Sequence, residues 1–401
     1  MAPPKYRYVI VGAGLAGGSA VAGIRELDPD GAILLLGDEP HRPYERPPLS
    51  KQLWTGKKQV ADLFLQPEDW YPGHHVDLKL GAEVVGLDPA AQTVTLGDGS
   101  QYAYEKLLLA TGGRPRRLEI PGGDAEGVLY YRYLDDYLRI RPAAHAGKRV
   151  AVVGGGFIGS ELAAALNLNQ VEVTMIFPGS YLVGRVFPES LGRALQAHYE
   201  QRGVRVLTGD APAAITPQGE AWQVATREGQ TLGADFIIAG VGIYPLTDLA
   251  QQAGLEVADG IVVNDLLQTS HPNIYAAGDN ALFNYMALGE RKRVEHWDNA
   301  VIQGQWAGRN MAGAGQAYDY MPYFYSDLFE FGYEAVGEID PRLDVFADWQ
   351  QENETGVLYF RREGKLRGAM MCNVWDQVPA ARELIRSGKT FTVQELRGAI
   401  N

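Results

Sequence analysis

The stretch VAVVGGGFIGSEL, residues 150–162, decides the fold because YVIVGAGLAG, residues 8–17, has already said nearly the same thing. Each is an apolar run that enters a glycine turn and leaves as a small-residue helical segment. In the first copy YRYVIV precedes Gly12, Gly14 and Gly17, a helical stretch runs to Leu27, and the apolar run AILLL starts at Ala32. In the second, RVAVV precedes Gly154, Gly156 and Gly159, ELAAALNL continues the helix, and VEVTMIF starts at Val171. Strand, turn, helix and strand within about 30 residues is the frame in which G-x-G-x-x-G binds a dinucleotide. The first glycine permits the sharp turn, the second lets backbone approach a pyrophosphate, and the third lets helix meet strand. Exposed amides and the positive end of the helix dipole then hold the anion. A lone copy reads equally well as a tight turn with close helix packing. Two framed copies predict two bound dinucleotides.

The surroundings are duplicated as well. The first unit is followed by the strand-like runs VDLKLGAEVVGLD, QTVTLGDGSQ and YEKLLLATGG, with a turn at Asp98-Gly99. The second is followed by GVRVLTG, AWQVATREG and QTLGADFIIAGVG. Beyond residue 320 the pattern changes to aromatic-rich alternation, YFYSDLFEFGYEAVGEI and TGVLYFRREGKLRGAMM, and then a helix from Pro379. The expected fold is therefore α/β, with two Rossmann-like dinucleotide-binding domains and a C-terminal α+β domain. The expected boundaries are 1–120 with 244–319 for a discontinuous first domain, 121–243 for the second, and 320–401 for the third.

Bulk properties fit this reading and exclude others. A chain of 401 residues is too long for one ordinary core, and 46% hydrophobic with 21% charged residues is an ordinary globular balance. Cys372 is the only cysteine, so disulfide frameworks, CxxC redox pairs and thiolate metal sites are excluded, and no metal is expected. The N-terminal MAPPKYRYVIVGAG offers one strand's worth of apolar residues rather than the longer core of a signal peptide, and no apolar run reaches membrane-spanning length. A cytoplasmic protein, neither membrane-bound nor nucleic-acid-binding, is the expectation. Thirty-six basic against 49 acidic residues leave a net charge of −13, a poor footprint for a polyphosphate partner. The basic clusters RPRR (114–117) and RKR (291–293) could serve a local acidic partner or be solvated surface.

The second strand of the first unit ends at Leu36, and Asp38 and Glu39 follow. A carboxylate there accepts both hydroxyls of an adenosine ribose. In the second unit Pro178-Gly179-Ser180 stands in that place, so the acid that selects NAD over NADP is missing. Arg185, a few residues on, could reach a ribose hydroxyl or a 2′-phosphate, which leaves the nicotinamide preference open.

RPYERPPLSKQLW from Arg42, LLLATGGRPRRL from Leu107, VVGGGFIGSELA from Val152, IYAAGD from Ile274 and RVEHWDNAVIQGQWAGRNMAG from Arg293 resemble the FAD-dependent pyridine-nucleotide oxidoreductases of glutathione-reductase-type architecture. Within them the chain resembles the branch of ferredoxin (rubredoxin, putidaredoxin-type) reductases and apoptosis-inducing factor, and PPLSK with RVEHWDNA is specific to that branch.

The resemblance implies that the first unit holds FAD and the second NAD(P)H. It implies FAD contacts at Gly12, Gly14, Ala16 and Gly17, at Val84, at the box Ala110, Thr111 and Gly112, and at Gly278-Asp279. Asp279 would bind the ribityl chain, a role compatible with capping a helix N-terminus. Arg46 and Arg132 would meet FAD phosphate or adenine, although both also read as solvated surface. Lys51, behind two stiffening prolines, would lie beside flavin N5 paired with Glu161 of the GSE sequence. Glu295, His296 and Trp297, at the start of a helix running to Met311, would line the flavin ring, with His296 positioning rather than transferring protons. In the second unit Gly154, Gly156, Phe157, Ile158, Gly159, Gly179, Arg185 and Gly242 would meet the nicotinamide dinucleotide. Phe157 would gate the nicotinamide or be a core aromatic. Glu334 and Asn373 would face the flavin from the third domain, and Tyr325 stands where apoptosis-inducing factors carry tryptophan.

No CxxxxC follows the first glycine turn, so no active-site disulfide can be reduced. The implied enzyme takes hydride from NAD(P)H onto flavin N5, with proximity supplying most of the help. Its acceptor is a ferredoxin-type iron–sulfur protein, steered by one of the arginine clusters. The alternative is an apoptosis-inducing-factor-like slow NADH oxidase, whose charge-transfer state is linked to dimerisation. Monomer and homodimer are both open.

Overall fold

The structure, a computed structural model, describes residues 2–400. The chain divides into two compact units. One comprises the residues up to Glu45 with Val60–Arg114 and Tyr244–Pro322. The other comprises Arg46–Gln59, Pro115–Ile243 and the residues from Tyr323 onward.

In the first unit the strand Lys5–Val11 is central. It runs parallel to Ile33–Leu36 on one side and to Gln101–Leu109 on the other, with Val9 opposite both Leu34 and Leu107. Val76–Lys79 extends the sheet beyond Ile33–Leu36, and Ile274–Ala276 joins Gln101–Leu109 in parallel. The hairpin Val84–Asp88 and Thr93–Leu96 continues it in antiparallel fashion. Strands covered on both faces read as unbroken apolar runs, which is why YVIV and ILLL lack alternation.

The helix Leu15–Arg25 packs on Trp297–Met311, and glycine decides how closely. A Cβ on Gly304 would stand 2.3 Å from the Ala16 carbonyl oxygen, and one on Gly308 2.1 Å from that of Ala20. Glycines four apart share one helix face, so these two backbones meet directly.

The second unit repeats the plan. Arg149–Val153 is central, parallel to Glu172–Phe177 and to Phe236–Ala239, with Arg205–Thr208 and Val128–Leu129 at the edges. Pro212–Gln218, Ala221–Thr226 and Thr231–Ala234 form an antiparallel sheet. From Tyr323 onward a second antiparallel sheet runs in the order Tyr323–Leu328, Phe331–Gly337, Lys365–Cys372, Thr355–Arg362, Asp344–Gln351. The helix Val378–Arg386 packs on it through buried Ala381 and Ile385. The strand Tyr323–Leu328 and the 3-10 turn Pro47–Ser50 both pack on the helix Phe157–Leu168, so these distant segments belong to one unit with the second glycine turn.

One alternative for Asp279 is corrected. The next element is the strand Ala281–Tyr285, so there is no helix for Asp279 to cap. Among the described residues no helix is long and apolar enough to cross a membrane.

Candidate active site

The two glycine turns match bond for bond. The amide of Gly12 donates to the Leu36 carbonyl at 2.8 Å, and that of Gly154 to Ile176 at 2.9 Å. The amides of Ala110 and Gly240 donate to Val11 and Val153, the last residues of the central strands, at 2.8 Å each. A Cβ on Gly12 would stand 2.1 Å from the Ala110 carbonyl oxygen, and one on Gly154 2.3 Å from that of Gly240. Gly17 and Gly159 are equally confined, at 1.9 and 2.0 Å from the carbonyl oxygens of Gly12 and Gly154. The middle glycines differ: a Cβ on Gly14 or Gly156 would meet nothing within 4 Å. Both are helix N-caps without a side-chain cap, so first-turn amides face the open space beside each turn. Confined outer glycines, an open middle one and uncapped amides are what a pyrophosphate requires, and the fit holds at both turns.

Around the first turn the polar boxes lock together. Asn280 Nδ2 donates to Thr111 Oγ1 at 2.9 Å and to the Leu109 carbonyl at 3.2 Å, and Thr111 Oγ1 donates to the Leu246 carbonyl at 2.8 Å. Gly112 and Gly278 take positive φ, +65° and +89°, which their tight turns require. The Gly278 amide donates to Gln303 Oε1 at 2.7 Å, and Arg293 Nη1 donates to the Asp279 carbonyl at 3.0 Å. Asp38 is exposed, whereas Glu39 is half-buried and accepts the Tyr44 hydroxyl at 2.6 Å, which makes Glu39 the carboxylate with a fixed position. Val84 opens the hairpin strand and is half-buried.

His296 is the N-cap of the helix Trp297–Met311 and is partly exposed. Desolvation pushes its imidazole down to about 4, Asp279 opposes this, and Lys292 adds to it. The ring is neutral at ordinary pH, as a positioning role requires. Glu295 is paired with Arg293. Trp297 lines a cleft of about 250 Å³ with Trp70, Tyr71, Glu45 and Gln305.

In the second unit Lys51 Nζ lies 2.6 Å from Glu161 Oε1, with side chains 9% and 5% exposed. The Pro47–Ser50 turn delivers Lys51, and the second turn of the Phe157–Leu168 helix delivers Glu161. Ser50 Oγ donates to Glu161 Oε2 at 2.5 Å, and Ser326 Oγ to Oε1 at 2.6 Å. The Lys51 ammonium also stands 5.5 Å from the centre of the Tyr325 ring. A buried ammonium with one hydrogen-bond acceptor among the described residues has further N–H groups to offer, which fits a cofactor atom beside it. Tyr199 and Tyr333 are buried close enough to feel this carboxylate, their hydroxyls pushed up by desolvation and then by the Glu161 charge.

The remaining expected residues lie in the same unit. Arg46 donates to the Arg132 carbonyl at 3.0 Å and lies 5.3 Å from the Tyr133 ring centre, so Arg46 and Arg132 are neighbours. Phe157 is half-buried with its ring 5.5 Å from that of Phe324, while Ile158 beside it is exposed. Glu334 pairs with Tyr325 across the sheet, and burial raises its carboxyl. Asn373, at φ +48°, exchanges hydrogen bonds with Gly332. Gly242 takes φ +95°. Gly179 and Arg185 are exposed, and the loop between them is tied to the glycine turn by the Val183 amide, which donates to the Gly155 carbonyl at 2.8 Å.

The arginine clusters are largely engaged. Arg114 meets Glu83, Arg117 meets Asp124, Arg116 Nε donates to the Ile243 carbonyl, and Arg293 binds Asp259 and Glu295. Cys372 is buried and its thiol is pushed up by desolvation.

Tyr44, Ser50, Gln303 and Ser326 went unnoticed in the sequence. Ser50 stood inside the quoted PPLSK, and Tyr44 inside RPYERPPLSK; Ser326, 165 positions from Glu161, gives no local signal.

The sequence of the pyridine nucleotide-disulphide oxidoreductase family matches residues 6–304, and the C-terminal segment of mitochondrion-associated apoptosis-inducing factor matches 307–355. The chain is 32% identical to a mitochondrial apoptosis-inducing factor of Dictyostelium discoideum over 99% of this chain and 81% of that one. It is 36% identical to a rubredoxin-NAD(+) reductase of Pseudomonas putida over 88% and 93%. A solved ferredoxin reductase of Rhodopseudomonas palustris superposes with a TM-score of 0.90 at 31% identity, covering 97% of this chain and 96% of that one. Putidaredoxin reductase in its covalent complex with putidaredoxin gives the same TM-score and identity, covering 97% and 94%.

Proposed function

This chain belongs to the pyridine nucleotide-disulphide oxidoreductase family, in the branch of the ferredoxin reductases and apoptosis-inducing factor, and from that premise we propose that it oxidises NADH and passes the electrons to a ferredoxin-type iron–sulfur protein. It is an NAD(P)H-dependent flavin oxidoreductase, and the family uses FAD and NADH.

Bound FAD supplies an acceptor for hydride from the nicotinamide and a point from which electrons leave one at a time. The chain's own residues do the rest. The amides after Gly14 and Gly156 hold the two pyrophosphates, and Tyr44 holds Glu39 against the adenosine ribose. Asp279, with its backbone carbonyl tied to Arg293, would hold the ribityl chain. Glu295, neutral His296 and Trp297 present the first turn of a 15-residue helix, whose positive end favours negative charge on the ring. Lys51, retained by Glu161, would present ammonium protons to the flavin.

The observation that carries the reading is the Lys51–Glu161 pair. A buried ion pair stabilises little against an apolar replacement of the same volume, so a salt bridge this deep is better explained by function than by folding. Stopped-flow reduction by NADH and by NADPH, followed by turnover with a ferredoxin, cytochrome c or oxygen, tests the proposal. Fast transfer to ferredoxin supports it. The match over 307–355 favours the second reading, an apoptosis-inducing-factor-like slow NADH oxidase, which predicts slow reduction and a persistent long-wavelength band.

A further inference from the structure

Glu161 accepts more hydrogen bonds than its pairing with Lys51 needs. Its carboxylate is buried, and three donors converge on it from two segments far apart in sequence. Ser50 Oγ approaches Oε2 at 2.5 Å from the Pro47–Ser50 turn, while Ser326 Oγ approaches Oε1 at 2.6 Å from the strand Tyr323–Leu328. Lys51 Nζ approaches Oε1 at 2.6 Å. All three partners are themselves buried. The buried Tyr199 hydroxyl donates to the Ser160 carbonyl at 2.9 Å and not to the carboxylate. Ser50 Oγ is 3.4 Å from the Pro47 carbonyl, too long to compete with its bond to Glu161.

Hydroxyl-to-carboxylate bonds are among the stronger hydrogen bonds and fix the plane of the group they bind. Here Ser50 supplies Oε2 with its own donor, while the Lys51 ammonium approaches Oε1. Lys51 is left a single bond, to an oxygen it shares with Ser326. A carboxylate without these hydroxyls would turn both oxygens onto the ammonium, because a buried acceptor without a donor is costly. The ammonium would then be drawn further onto Glu161, with fewer N–H groups left to offer elsewhere.

We propose that Ser50 and Ser326 are positioning residues for Lys51, two hydroxyls that occupy Glu161 so that the ammonium is held by one hydrogen bond and offers its remaining N–H groups to the flavin. Ser326 thereby makes the C-terminal sheet a determinant of the redox properties of the cofactor. The proposal rests on the reading of Lys51 as a flavin-side residue, and the test separates the two.

The test compares the holoenzyme with Ser50→Ala, Ser326→Ala, the double variant, Ser326→Thr and Lys51→Met. It measures the flavin midpoint potential by spectroelectrochemistry, the rate constant of flavin reduction at saturating NADH, and the KM for NADH. The double alanine variant lowers the potential in the same direction as Lys51→Met and slows reduction roughly tenfold, the scale of one hydrogen bond to a charged group, while KM stays near the wild-type value. Ser326→Thr keeps the hydroxyl and restores both. Where Ser326→Ala loses flavin, Ser50→Ala carries the same test without touching the sheet. Alanine variants with wild-type potential and rate beside a shifted Lys51→Met overturn the serine proposal and leave the lysine reading standing. A Lys51→Met variant that itself matches the wild type overturns both.

Discussion

Gly12 and Ala110 touch backbone to backbone: the Ala110 carbonyl oxygen lies 2.1 Å from the point where a Cβ on Gly12 would stand, and Gly12 itself sits at φ +114°. Gly154 repeats the contact with Gly240 at φ +121°. The middle glycines carry no such contact, and this separates folding from binding. Gly12→Ala costs stability by about 2–4 kcal/mol through clash and backbone strain, read from urea unfolding. Gly14→Ala, with open space and φ −82°, folds with stability near wild type and loses FAD. Gly156→Ala keeps FAD and raises the KM for NADH. Equal stability loss at all three positions would contradict the assignment.

Tyr44 donates to Glu39 at 2.6 Å, so removing its hydroxyl frees the carboxylate to turn. Tyr44→Phe weakens FAD binding about fivefold, in line with one net hydrogen bond of about 1 kcal/mol. Glu39→Ala weakens it further, and exposed Asp38→Ala leaves it near wild type. Fluorescence titration of the apoprotein with FAD gives the order, and a larger effect at Asp38 reverses the assignment.

Lys51→Met leaves Glu161 buried with two hydroxyl donors and no cation. Breaking such a pair from one side costs about 3–5 kcal/mol when nothing else satisfies the partner, and the serines reduce that. Replacing both residues, Lys51→Met with Glu161→Met, recovers stability relative to Lys51→Met alone while flavin reduction stays slow. Thermal unfolding together with rapid-mixing kinetics checks both halves; a double variant that reduces its flavin at the wild-type rate counts against the functional role.

His296 is held neutral, with its imidazole pushed from 6.5 down to about 4 by desolvation. The unfolded chain takes up a proton at this ring below about pH 6.5, which the folded chain refuses until about pH 4. The neutral histidine therefore contributes stability that is fully present above pH 6.5 and is lost as pH falls toward 4. Urea midpoints across that window fall less steeply for His296→Gln than for wild type. Parallel slopes would show that His296 titrates freely.

Much of the fold was readable because the two glycine turns are local: three glycines, a strand and a helix lie within one short stretch, and glycine spacing reports backbone contacts directly. The same held for the change of pattern near residue 320, where aromatic alternation marks antiparallel strands. Pairings set by tertiary packing were not readable. Ser326 reaches Glu161 across 165 positions, and nothing near Ser326 distinguishes it from any strand serine. Asp38 and Glu39 looked equivalent until the fold brought Tyr44 to one of them. The segment Arg46–Gln59 packs with the second glycine turn because Leu49, Leu53 and Trp54 are buried, with the Trp54 ring edge-on to Tyr137 at 5.3 Å, a choice no local periodicity records.

The central claim is that one chain binds FAD at the first glycine turn and accepts hydride from NADH bound at the second. Anaerobic titration of the purified protein with NADH, followed by flavin absorbance, tests it most directly. The account predicts a yellow protein whose flavin bands bleach in stoichiometric proportion to added NADH, and a Gly14→Ala variant that is colourless. A wild-type protein that is colourless and takes up no FAD, or whose bound flavin is untouched by both NADH and NADPH, would contradict it.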